Sequence, residues 1–103
     1  MSTFIKGSMS EFKFERTKIK IVMYDGNVIE FHKPTTLQAE HLEKRIYKIN
    51  DEFADSPSRQ LAELSELTLV FLDEIGFPRS ESVKLEPSHL KQIVDFLIYE
   101  KKN

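Results

Sequence analysis

Apolar and polar positions alternate from Lys18 to Tyr24, placing Ile19, Ile21 and Met23 on one face. A period of two predicts a strand with one buried side. Glu11 to Arg16 alternates as well, with Phe12 and Phe14 as its apolar positions, and predicts a short strand of its own. The parity differs between the two: Phe12 and Phe14 are even, and Ile19, Ile21 and Met23 are odd. A bulge or turn near Arg16-Thr17 is needed if both are to face one core. Asp25-Gly26 is a hairpin turn signal, and Val28 to Lys33 returns as a partner strand that Pro34 ends. A three-residue loop, Asp25-Gly26-Asn27, pairs Met23 with Ile29 and Ile21 with Phe31. A two-residue loop would set Ile21 against Glu30.

After Pro34 the period changes to that of a helix. Thr35 and Gln38 have capping-box spacing. Ala39, Leu42, Ile46, Ile49 and Phe53 then form one narrow stripe, while Glu40 and Lys44 are an i,i+4 pair on the wet side. The helix stops before Asp55-Ser56-Pro57. A second helix runs from Ser58 to about Ile75. Leu61 and Leu64 begin its stripe, and Leu67, Leu69, Val70, Phe71 and Leu72 make it apolar nearly all round. Such a helix sits centrally or has a covered second face. Gly76 is its stop, with Pro78 beyond. Arg79 to Lys84 reads as a polar connection. Pro87 then opens a third helix, reaching about Lys101. Leu90, Ile93, Val94 and Leu97 face one way on it, and Phe96 and Tyr99 another.

The expected fold is therefore α+β: a small antiparallel β-hairpin or three-stranded sheet at the N-terminus, followed by three α-helices. Residues 1–10 read as a flexible tail and residues 11–103 as a single domain.

Composition narrows the function. Net charge is −2, from 15 basic and 17 acidic residues, which gives no general field for nucleic acid or anionic lipid. The chain has no cysteine, so thiolate metal sites, disulfides and cysteine nucleophiles are excluded. No run approaches the roughly 18 apolar residues of a membrane span. With no secretory signal pattern either, a cytoplasmic location is expected.

Catalytic motifs are missing. His32, His41 and His89 lack metal-site spacing, and no glycine-rich phosphate loop or nucleophile elbow occurs. Ser88 and His89 are adjacent on a helix and diverge by about 100°. The expectation is a non-enzyme with no cofactor, no metal and no catalytic residue. The densest basic patch, Lys13, Arg16, Lys18 and Lys20 with Phe12 and Phe14 interleaved, could stack single-stranded bases. Glu11, Glu15 and Glu30 dilute it, and edge-strand lysines that discourage aggregation are the preferred reading. What remains is surplus apolar helix surface, which points to protein partners or self-association.

The element order completes the picture. A strand-turn-strand from Ile19 to Lys33 closes on Pro34. A helix follows, then an amphipathic helix ending Val70-Phe71-Leu72-Asp73-Glu74-Ile75-Gly76, then a helix carrying Leu90-Lys91-Gln92-Ile93-Val94-Asp95-Phe96-Leu97. Over roughly residues 18–100 this resembles the small tail assembly chaperones of long-tailed bacteriophages. The resemblance implies a non-catalytic protein of the host cytoplasm. It would coat the helical tape measure protein and keep it soluble while tail tube protein assembles, and it would form homo-oligomers. It also implies a longer form made by frameshifting. Lys101-Lys102-Asn103 could be encoded by AAA AAA AAC, which contains a slippery heptamer. The first 17 residues are not required by the family pattern. The expected partner-binding groove lies between the second and third helices and is lined by Leu67, Val70, Phe71, Phe96 and Tyr99. The alternative from another class is a small regulatory adaptor that inhibits one host protein.

Overall fold

The structure, a computed structural model, describes residues 10–99. Two antiparallel strands, β1 (Lys18–Val22) and β2 (Val28–His32), precede four helices. These are α1 (Thr36–Glu52), α2 (Pro57–Glu74), α3 (Arg79–Ser82) and α4 (Pro87–Tyr99). The layout is α+β, as the periodicity predicts. The expected tail lies mostly outside the described residues, as does the end of the last helix at Lys101.

The sheet has two strands, not three. Residues 10–17 form no strand, and Phe12 and Phe14 are 67% and 88% exposed. Their rings stack on each other instead, 6.2 Å apart and 12° from parallel. The parity problem is thus resolved by leaving that segment out of the ladder. Arg16 instead hooks the end of the hairpin, its guanidinium donating to the Lys33 carbonyl at 2.9 Å.

The hairpin loop has three residues, as expected, but begins one residue earlier, at Tyr24-Asp25-Gly26. Met23 N–H donates to the Asn27 carbonyl at 2.7 Å, and Gly26 N–H to the Met23 carbonyl at 2.9 Å. Gly26, with φ +89°, takes the left-handed position expected of Asn27. The Asp25 carboxylate accepts from Asn27 N–H at 2.9 Å. Ile21 therefore pairs with Ile29, and Ile19 with Phe31. This differs from the expected register by two residues, so every side chain keeps its face.

The helices follow the capping chemistry. Thr35 and Gln38 make both bonds of the capping box. Pro57 stands at the first turn of α2. At the other end of α2, Gly76 adopts φ +105°. Phe77 N–H reaches the Leu72 carbonyl at 2.9 Å, and Gly76 N–H the Asp73 carbonyl at 3.2 Å. This is a Schellman stop. The expected polar connection after it contains α3, whose Arg79 forms a bidentate pair with Glu66 of α2 at 2.8 and 2.9 Å.

The core consists of Met23, Phe31, Leu42, Leu67, Phe71, Leu72, Ile75, Phe77, Val94 and Leu97. It sits where the last turns of α2 meet the inward face of the hairpin and α4. As its all-round apolar sequence predicts, α2 is central and packs against α1, α3 and α4. Phe77 is fully buried and stacks on Phe31 with centroids 5.5 Å apart. Towards the α1–α2 turn no third element covers the helices among the described residues. There Gln60 donates to the Asn50 side chain at 2.9 Å, and the Arg59 guanidinium lies 4.8 Å from the Phe53 ring centroid. Leu61, expected to start the α2 stripe, is 66% exposed.

Candidate functional site

The five residues expected to line one groove separate into three places. Leu67 and Phe71 are core residues, 4% and 2% exposed, and present no surface to a partner. The reason is the central position of α2. The helix is apolar all round because neighbours cover it, so its stripe is used up inside the fold. Val70 is half-buried. It shares a helical stripe with Glu66 and Asp73, which both engage Arg79, so it lies on the α3 side.

Phe96 and Tyr99 are different. They are 47% and 50% exposed, while Val94 and Leu97 on the same helix are buried. Phe96 leans towards the hairpin, with the Lys33 Nζ 5.9 Å from its ring centroid. Tyr99 leans towards α1. Partial burial raises its hydroxyl pKa above the ordinary value, and the Glu43 and Asp95 carboxylates push it further.

Beside Phe96 an open trough of roughly 370 Å³ runs between β1 and α4. Ile19, Ile21, Ile93 and Phe96 supply its apolar surface, and Lys18, Lys20 and Gln92 its polar rim. Sequence reasoning placed Ile19, Ile21 and Ile93 in the core and Lys18 and Lys20 on an edge strand. The isoleucines are in fact half-buried, because the two-stranded sheet is too narrow for α4 to seal. The mismatch between sheet width and helix length makes the trough.

The trough depends on how α4 is hung. Tyr24, at the hairpin tip, accepts from Glu86 N–H at 3.0 Å and lies 2.6 Å from His89 Nδ1. The first turn of α4 is thereby tied to the hairpin. Of the other histidines, His32 lies opposite Lys18 in the ladder and His41 is exposed on α1. Among the described residues no group of three His, Asp or Glu side chains comes together as metal ligands, and no helix is long and apolar enough to cross a membrane.

The arrangement offers half-exposed aromatics, an apolar trough and a rim of amines. That chemistry suits burial of another chain's apolar side chains. Comparisons with protein-family models, curated proteins and solved structures find no match to this chain.

Proposed function

We propose that this protein is a non-catalytic binding module of the tail assembly chaperone type, which holds an apolar helical client such as a tape measure protein until assembly. The observation that carries the reading is Phe96 and Tyr99, two half-exposed aromatics on a helix whose inner face is fully used. Aromatic side chains give large contact area at small entropic cost, and a patch of them on a small chain is a docking signal. The order of elements supports the same reading.

The client's helix lies across the outer face of α4, against Phe96 and Tyr99. Each contact is modest, so the client can be released. Several copies along one client supply avidity. Tail tube protein and further copies of the chain are the other expected partners.

The test is client solubility. An aggregation-prone fragment of tape measure type, rich in amphipathic helix, is refolded with and without the protein, and light scattering is followed. The wild type suppresses scattering. The Phe96→Asp/Tyr99→Asp variant, with an unchanged circular dichroism spectrum, does not. A folded double variant that still suppresses scattering would show that the client binds elsewhere.

A further inference from the structure

Beyond the helical client, the hairpin carries a second recognition feature. In an antiparallel pair, alternate residues direct their N–H and C=O groups at the partner strand. Met23 N–H bonds to the Asn27 carbonyl, and Lys33 N–H to the Thr17 carbonyl at 2.8 Å. Residues 17, 19, 21 and 23 therefore face β2, and Lys18, Lys20 and Val22 direct their amides and carbonyls outwards. Among the described residues no backbone hydrogen bond outside the ladder reaches those three. Their side chains are exposed as well. The trough adjoins this strand.

We infer that β1 accepts an added strand: an extended, acidic peptide lying along its outer edge, with alternate apolar side chains in the trough against Ile93 and Phe96. Strand addition supplies backbone hydrogen bonds, and side-chain alternation supplies specificity. On the inward face, the added residues lie beside Ile19 and Ile21 and require apolar side chains. On the outward face, they lie beside Lys18 and Lys20, and cross-strand pairing there favours carboxylates. Lys18 stands opposite His32 and makes no ion pair among the described residues. Lys20 has only a loose contact with Glu30, at 4.0 Å. The edge therefore selects a peptide alternating Asp or Glu with Val or Ile.

The same charges argue against a second copy. Antiparallel pairing of β1 with itself about Lys20 sets lysine against lysine, which is destabilising. Nor do the first nine residues supply the complement, since they contain Lys6 and no acidic side chain.

The test uses the full chain and a fluorescent, end-blocked eight-residue peptide of alternating Glu and Val, titrated at low salt by fluorescence polarisation. The wild type binds it and binds the Lys-Val counterpart at least tenfold more weakly. Lys18→Glu/Lys20→Glu weakens the acidic peptide about tenfold or more, as a reversed pair of cross-strand charges should. Lys20→Pro abolishes binding, since proline removes only an outward-facing N–H and is compatible with an edge strand. The glutamate variant keeps the test valid if the proline variant unfolds. Three results would each overturn the proposal. One is no binding to the wild type. Another is undiminished binding by the folded glutamate variant. The third is a wild-type dimer in sedimentation that Lys20→Pro dissolves, which would assign the edge to a second copy. The light-scattering assay reads a helical client and this one an extended peptide, so either can fail alone.

Discussion

The hydroxyl of Tyr24 lies 2.6 Å from Nδ1 of His89, joining the hairpin tip to the first turn of α4 across 65 positions of sequence. The same hydroxyl accepts from Glu86 N–H at 3.0 Å. The two rings meet edge-on with centroids 5.6 Å apart. One side chain thus satisfies a helix-terminal amide and fixes the angle at which α4 crosses the sheet.

Replacing Tyr24 with Phe keeps the ring contact and removes both hydrogen bonds. Net hydrogen bonds contribute about 0.5–1.5 kcal/mol each, and this pair is exposed, so a loss of about 1 kcal/mol is expected. Urea unfolding measures it. An unchanged midpoint would mean the contact is incidental.

The two left-handed glycines should respond differently to alanine. A Cβ on Gly26 meets nothing within 4 Å, whereas one on Gly76 would stand 3.1 Å from the Cβ of Phe31. Both variants bear the dihedral strain of roughly 1–3 kcal/mol. Only Gly76→Ala must also displace a core strand. Gly76→Ala is expected to be the less stable of the two in thermal melts, and equal melts would mean the strand yields freely.

Leu67 and Phe71 should behave as core residues, not as contacts. Truncating either to alanine is expected to cost about 2–5 kcal/mol. Phe96→Ala, at a half-exposed site, should cost far less while weakening client binding. Stability and binding measured on the same three variants separate the roles.

The Glu66–Arg79 pair gives a pH signature. The hydrogen bond from Arg79 holds the Glu66 carboxyl below its ordinary range, and the Arg79 charge adds to this. A depressed carboxyl pKa stabilises the fold at pH above the unfolded value, and that contribution fades as pH falls through the folded value. Both side chains are largely exposed, so the effect is small. Carboxyl NMR titration should show Glu66 titrating low in the wild type and rising in Arg79→Met. The same titration curve in both would break the assignment.

Much of this fold is legible because local chemistry and tertiary packing agree. The capping box at Thr35, Pro57 in the first turn of α2 and the glycine stop at Gly76 each fix a helix boundary from a few residues. The hairpin face was readable from parity, since a two-residue change of register moves no side chain across the sheet. The Phe12–Phe14 segment was not readable, because alternation signals a strand only where a partner edge is within reach. Phe77 was passed over between a glycine and a proline. Its signal was the hydrophobic residue that habitually follows a Schellman glycine and folds back on the helix. The site was half legible. Phe96 and Tyr99 stand apart from the α4 stripe in sequence, but the all-round apolar pattern of α2 cannot say which residues are covered, and neighbouring elements decide that.

The most direct measurement is hydrogen exchange of the protein with and without a helical client. Client capture on α4 predicts slowed exchange concentrated around Ile93 to Tyr99, with little change at the α1–α2 turn. Protection centred on Tyr47, Leu61 and the α1–α2 turn, with α4 unchanged, would contradict it.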